Sequence, residues 1–423
     1  MAPLYLCNVT QMIPTAPSAR GLAYAAFAAS AAFGSFWGVW GASIPRIRAQ
    51  TGLDDAQLGV ALLFVGAGAL PAMLLAGRAL DRWGHRFAVA VVVALGLSGI
   101  GVALTATGFV SLSAGLAIVG ATSGATDVAM NSVAGRAEQL SGKPVITRAG
   151  GVFSTFVVLA SLGTGASSTA SAPTSLPFAI VAALSLVAGA LILRSLPVDR
   201  APADEHVDLE ALTSPVTMRL APLLLIGALG ALAFASENAH QSWGAVFLED
   251  ELGSGPGTSA IAPAVFAGVV AITRFSNGAI NPAHARRVLV AGAITAAGGA
   301  VLVSISGSIP VAILGLIIAA AGTAALYPTL LSIVSRNVRE TYRGRATSIV
   351  TIASYLGFLL GPVYVGVWSE HAGLRGAMLA VGALGLALAV LTAPLLHLSG
   401  MAIHRQAQPT PDTCDEAPKT LVP

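Results

Sequence analysis

The stretch Gly77-Arg78-Ala79-Leu80-Asp81-Arg82-Trp83-Gly84-His85-Arg86 decides how this chain folds. Arg78, Arg82 and Arg86 crowd into ten residues, yet the runs on either side, 57–80 and 87–107, are almost wholly apolar. Each is long enough to cross a bilayer as a helix. A short basic turn between two such runs pins a helical hairpin to one face of a membrane. Working outward, the same alternation of apolar run and polar break predicts twelve spans. They lie at 21–44, 57–80, 87–107, 111–134, 152–171, 176–196, 220–245, 259–280, 288–306, 309–334, 346–368 and 373–396. The runs are continuous rather than alternating, which selects helices over barrel strands.

Composition leads to the same class. Apolar residues make up 55% of the 423 and charged residues only 10%, against roughly 25% charged in soluble domains. With a mean hydropathy of +0.80, too little polar surface is left to cover a water-soluble fold. The formal charge of +3 is too slight to point to a nucleic-acid partner. Cys7 and Cys414 lie in the polar tails, so no disulfide framework or thiolate metal site is expected in the body of the chain. Three prolines before Arg20, with no uninterrupted apolar core, do not read as a cleaved signal peptide.

Placing both termini in the cytosol puts nineteen of the 22 Lys and Arg inside and leaves only Arg46, Arg48 and Arg375 outside, which supports both the even number of spans and a cell-membrane orientation. The one long internal polar stretch, 197–219, divides the chain six and six. The expected organisation is a cytosolic tail (1–20), a six-helix half (21–196), a cytosolic linker (197–219), a second half (220–396) and a cytosolic tail (397–423). Residues 63–95 partly echo 266–297: an apolar helix with an arginine near its inner end (Arg78, Arg274), a turn, then basic residues opening the next helix (Arg86; Arg286 and Arg287). The fold class is therefore all-α integral membrane, with two pseudo-symmetric six-helix halves. Such duplication builds two conformations around one midplane site.

The turn at 77–86 closely resembles the signature loop of the major facilitator superfamily, G-x-x-x-D-R-x-G-R-R, with His85 in place of the first basic residue of the final pair. The glycines have a physical reading: Gly77 permits close helix contact and Gly84 a sharp turn, while Asp81 can accept hydrogen bonds from the end of a neighbouring helix. The resemblance implies a gate loop made of Gly77, Arg78, Asp81, Arg82, Gly84 and Arg86. It places Asp81 near the start of helix eleven, around Ala346 to Ser348, with Arg136 as an ionic partner. The second-half copy carries Asn277 and Asn281 but no aspartate, so any latch there is expected to be weaker. Trp40 to Arg48, Asp127 to Asn131, Phe153-Ser154 and Glu237 to Trp243 resemble a bacterial branch of this superfamily near the fucose permease group. That branch commonly carries a histidine where this chain has Gly150.

Polar residues inside the spans are the candidate site. In helix four Gly120, Ser123, Gly124, Asp127 and Asn131 share a narrow stripe at about 100° per residue. A carboxylate at that depth costs several kcal/mol unless paired, hydrated or protonated, so Asp127 is a proton-carrier candidate, with a purely structural hydrogen bond as the alternative. Asn131 is a binding or orienting candidate. In helix seven Glu237, His240 and Gln241 lie on one broad face, read as nearer the outer mouth. Glu237 is a candidate for solute binding or proton coupling, and His240 for tuning it. Trp37 in helix one, Tyr327 in helix ten and Tyr355 in helix eleven are stacking candidates that also read as packing residues; Trp40 reads as an interfacial anchor. Gly357, Gly361, Pro362 and Gly366 predict close packing and a kink in helix eleven.

No phosphate-cradling loop, nucleophile elbow or metal constellation appears, so neither an enzyme, nor an ATP-driven pump, nor a resident cofactor or metal is expected. The expected partners are a small-molecule solute, protons as coupling ion and the lipid bilayer, with no nucleic acid; a monomer is the expected state. Three functions fit. One is a proton-coupled carrier of a small organic solute working by alternating access. The others are a proton antiporter exporting an antibiotic or metabolite, and a receptor on the same fold that no longer transports.

Overall fold

The computed structural model describes residues 19–195, 220–276, 284–338 and 340–401. The linker, both distal tails, Asn277 and Asn281 lie outside the described residues, as does the side chain of Asp81. Among the described residues the first nine helices are α1 (Ala19–Thr51), α2 (Asp55–Trp83), α3 (His85–Thr105), α4 (Phe109–Ser141), α5 (Val145–Thr169), α6 (Ser175–Ser195), α7 (Leu220–Asp250), α8 (Pro256–Ser276) and α9 (Ala285–Ser304). They are followed by α10 (Ile309–Asn337) and one helical stretch, Glu340–Ser399. Gly373 breaks that stretch at φ +68°; we number the two pieces α11 (340–372) and α12 (374–399). Among the described residues, twelve membrane-length helices therefore stand where twelve spans are predicted.

Several run further than their apolar cores. Helix α1 continues through Pro45 to Thr51, and Gly52, at φ +65°, ends it. Polar residues stop a hydropathy count, but Arg46 and Arg48 find acceptors on the protein surface and the helix carries on. Arg46 donates to Ser168 Oγ at 3.0 Å and to the Ala172 carbonyl at 2.7 Å. Gly84, at φ +56°, makes the sharp α2–α3 turn that the sequence predicts.

Helix pairing repeats across the chain. Helices α1 and α5, α2 and α4, and α3 and α6 pack together in the first half; α7 and α11, α8 and α10, and α9 and α12 do so in the second. Apart from contacts of α1, the halves meet where α2 packs on α11 and α5 on α8. Small residues set the spacing, because lipid offers no hydrophobic drive for helix association and close packing must supply it. Gly34 and Gly38 of α1 lie against the Phe153 and Val157 carbonyls of α5, and Gly357 and Gly361 of α11 lie against the Ala231 and Ala235 carbonyls of α7. Leu97, Leu104, Ile118, Leu186 and Leu193 face outward, as lipid-facing positions should. Trp40 is not an interfacial anchor: it is 4% exposed and packs in the central core, because α1 is enclosed by its neighbours at that level.

A Cβ at Gly361 would stand 2.7 Å from the Ala235 carbonyl oxygen, whereas nothing lies within 4 Å of one at Gly163. Gly361→Ala is expected to destabilise the α7–α11 contact by about 1–3 kcal/mol and Gly163→Ala to be neutral. Thermal unfolding of the two purified variants checks this.

Candidate functional site

A cavity of about 530 Å³ lies between the two halves. Helices α1, α2, α4 and α5 wall it on one side and α7, α8 and α11 on the other. Its lining is largely apolar and aromatic, with Phe33, Trp37 and Phe153 facing Phe234, Tyr355 and Phe358. Trp37 is held by edge contacts with Phe33 and Phe36, at ring separations of 6.4 and 5.6 Å.

Against this apolar wall the charged groups are few. Asp127 enters from α4, and Asn131, one turn on, donates to its Oδ1 at 3.0 Å. Glu237 enters from α7 together with Gln241, whose Nε2 donates to Glu237 Oε1 at 3.4 Å. Glu237 also meets Arg274 of α8, whose Nη2 lies 3.2 Å from Oε1 and 3.4 Å from Oε2. Asp127 and Glu237 thus face one cavity from opposite halves. Glu237 is not at the mouth: α7 continues thirteen residues beyond it to Asp250, about 20 Å of helix, so the carboxylate sits deep.

Two prolines prepare this wall. Proline has no N–H, so it leaves the carbonyl four residues before it without a helical partner. Pro328 in this way frees the Ala324 carbonyl, where α10 is interrupted, and Arg274 Nε donates to it at 3.2 Å. Pro362 likewise frees the Phe358 carbonyl, which accepts from Asn238 Nδ2 at 2.6 Å; Asn238 Oδ1 in turn accepts from Ser242. Irregular backbone at membrane depth is tolerated where it lines a cavity and its polar atoms are matched.

Other predicted residues lie elsewhere. His240 is buried and turned away from the cavity; its Nδ1 meets the Ser236 carbonyl at 2.7 Å and its ring stacks on Phe266. Tyr327 packs on Phe234 and donates to Thr351 Oγ1 at 2.8 Å, behind the wall rather than on it. Arg78, Arg82 and Arg86 are exposed at the α2–α3 turn, and Arg136 is half-buried in the last third of α4. Nothing lies within 4 Å of a Cβ at Gly77, so in this conformation it makes no close helix contact. The expected neighbour Ala346 is buried in the second half's own core.

The two ends of the cavity differ. At the end bearing the α1–α2 turn, Arg48 joins Asp55 of α2, at 2.7 Å, to Asp250 of α7, and Ser369 of α11 also bonds Asp55. Arg375 ties α12 to Glu251 at 2.8 Å and to the Ser304 and Ser306 carbonyls at the end of α9. Gly59 and Gly66 of α2 pack on Pro362 and Leu359 of α11. Further along, Ala69 and Met73 already line the cavity, and a Cβ at Gly77 would meet nothing within 4 Å. The α2–α11 seam is zipped at the α1–α2 end and parts toward the α2–α3 end, while on the other seam α5 and α8 stay together, with Gly151 against the Phe275 ring.

The profile of the major facilitator superfamily matches residues 25–284 and 245–420. The chain belongs to the major facilitator superfamily. It is 27% identical over 348 residues to an uncharacterised MFS-type transporter of Yersinia pestis, covering 82% of this chain and 88% of that one. Among solved structures, the nucleoside transporter NupG matches with a TM-score of 0.70 at 15% identity, covering 89% and 98% of the two chains. A D-xylose–proton symporter matches at 0.69 and 14%, covering 88% and 97%. This facilitator is therefore a multi-pass membrane transporter of the family fold.

Sequence reasoning misses Arg274 and Asn238 as cavity residues of this facilitator. It reads Arg274 as an inner-end arginine, although the residue falls inside the predicted span 259–280, where an ionisable group is itself a signal. Its pairing partner on α10 is announced by Pro328. At the closed end, Arg48→Ala would leave Asp55 and Asp250 facing one another unpaired. It is expected to shift the population away from this conformation about fivefold, roughly 1 kcal/mol. The check is the alkylation rate of a cysteine introduced at Ser154, with Cys7 and Cys414 replaced by serine and impermeant reagent supplied at the α2–α3 end, which should slow by up to that factor.

Proposed function

We propose that this chain is a proton-coupled secondary carrier that moves a small organic solute through the central cavity by alternating access. The observation that carries the reading is the placement of Asp127 and Glu237 on opposite halves of one cavity whose α1–α2 end is bridged by the Arg48 ion pairs. Exclusion of lysine and arginine from one side orients the open α2–α3 end, and both termini, to the cytosol. The conformation is then inward-facing. In the opposite state Gly77, Arg78, Asp81, Arg82, Gly84 and Arg86, with Arg136, close the cytosolic end, and the Arg48 cluster parts. Proton symport on the same fold in the D-xylose protein supports the coupling. The coupled proton enters the cavity by way of Asp127, which Asn131 orients, and Glu237, Gln241, Trp37 and Tyr355 contact the solute.

A second reading keeps the fold and reverses the direction. The dominance of phenylalanine and tryptophan in the lining favours a solute with an apolar body, which suits export of an antibiotic or metabolite. Sensitivity of a deletion strain to added compounds separates the two.

The test uses the full chain in proteoliposomes, with a solute identified by thermal-shift screening of sugars, amino acids and antibiotics. An inward gradient of one pH unit should drive accumulation up to about tenfold above the no-gradient level, the limit set by the roughly 1.4 kcal/mol that one pH unit supplies to one proton. Asp127→Asn should abolish that accumulation while keeping solute exchange. Equal accumulation with and without the gradient would refute proton coupling, and unchanged coupling in Asp127→Asn would refute the role of that residue.

A further inference from the structure

The cavity's charges constrain the solute more narrowly than its fold does. Arg274 is the most accessible charge there, with 44% of its side chain exposed against 13% for Glu237. It meets the Glu237 carboxylate through Nη2 alone, since both short contacts come from that one nitrogen and Nε is engaged by the Ala324 carbonyl. The guanidinium is therefore anchored on backbone independently of Glu237, and its carboxylate partner is exchangeable. A fork-shaped donor of this kind suits an acid group, which a second pair of N–H bonds can hold in plane.

Three solute classes can be weighed against this wall. A cation approaching Glu237 meets the Arg274 guanidinium first. A neutral polyol finds hydrogen-bond partners in Asp127, Gln241, Ser123 and Ser154 but leaves the Arg274–Glu237 pair intact and has no apolar body for Phe33, Trp37, Phe153 and Phe234. An anion with an apolar body satisfies both: the acid group goes to Arg274 and the body to the aromatic wall. Asp127 faces it from the other half, so a second acid group on the solute is disfavoured.

We propose that the cavity takes an amphipathic organic monoanion whose acid group replaces Glu237 on Arg274, with one proton taken up on Glu237 as it is displaced. This rests on the transport reading above and names its solute. The balance is simple. The anion brings one negative charge and the proton, drawn from the side to which the cavity is open, brings one positive; Arg274 stays charged throughout. The occupied cavity carries the same net charge as the empty one, so solute and proton cross together without net charge movement. Among the described residues, the other ionisable groups facing this site are Asp127 from α4 and Tyr355 from α11; the residues of α1, α2 and α5 that line it carry none, and His240 is turned into the core. Displaced from Arg274 into so apolar a cavity, a carboxylate has no other cation to pair with among these residues, and a proton takes that place.

The experiment uses the purified full chain and two matched pairs of probes, indole-3-acetate with indole-3-acetamide and benzoate with benzamide. Calorimetry in weak buffer, with a pH electrode in parallel, reads affinity and proton uptake. At least one acid should bind about tenfold or more tightly than its amide, with one proton taken up per anion. Glu237→Gln should bind the acid about tenfold more tightly than the wild type and take up no proton, a gain that a damaged fold would not give. Arg274→Gln should erase the preference for acid over amide. Equal binding of acid and amide, binding of neither, or undiminished proton uptake in Glu237→Gln would overturn the proposal. Acid binding that depends on Arg274, with no flux of the same probe into proteoliposomes, upholds the anion site and refutes the transport reading instead.

Discussion

An arginine at membrane depth is the constraint around which this cavity is arranged. A charged side chain there costs several kcal/mol unless it is matched. Arg274 is matched twice, by the Glu237 carboxylate and by the carbonyl of Ala324 that Pro328 leaves free. Three helices, α7, α8 and α10, are tied together at that point. Pro362, Phe358 and Asn238 repeat the device between α11 and α7, without a charge. In both places a proline removes one helical hydrogen bond and a side chain from a neighbouring helix restores it. The second half thereby gains a fixed polar wall inside an otherwise apolar cavity.

The first half contributes a simpler wall and most of the means of movement. Asp127 has Asn131 as its hydrogen-bond partner on its own helix, so its charge is not tied to the other half. At the α1–α2 end the halves are joined by the Arg48 ion pairs and the glycine contacts of α2 with α11, and α5 lies along α8 on the other side. That boundary joins these polar bonds and close backbone approaches to an apolar core that both halves share, with Trp40 and Leu58 in the same cluster as Trp243 and Val365. It can part without unfolding either half, which is what rocking of one half against the other requires.

The number of helices and the close packing of helix eleven at Gly357 and Gly361 are legible in the sequence, because bilayer thickness sets span length and small residues allow close approach, but which helix each packs on is not, and Gly77, read as a close contact, has no neighbour. The depth of a residue is less legible. Cutting helix seven at Ala245 puts Glu237 near a mouth, whereas the helix runs to Asp250 and takes the carboxylate into the cavity. Direction is legible only within an unbroken helix. Gln241 lies about 40° from Glu237 and shares its cavity, while His240 lies about 60° the other way and turns into the core. Tyr327 follows the interruption at Ala324 and Ala325, across which no angular register carries. Arg274 escapes for a different reason. Counting basic residues assigns each arginine to the nearest loop, and a long side chain near a helix end can reach inward as readily as outward.

The most direct test of the whole account is a pair of distance distributions measured by electron spin resonance on full-length protein in lipid, with Cys7 and Cys414 replaced by serine. One label pair, at Gln57 and His371, reports the α1–α2 end; the other, at Arg82 and Arg343, reports the α2–α3 end. Two rocking halves predict two populations at each end, with the short distance at one end accompanying the long distance at the other, and Arg48→Ala moving both together in opposite senses. A single fixed distance at each end, indifferent to that substitution, would contradict the account.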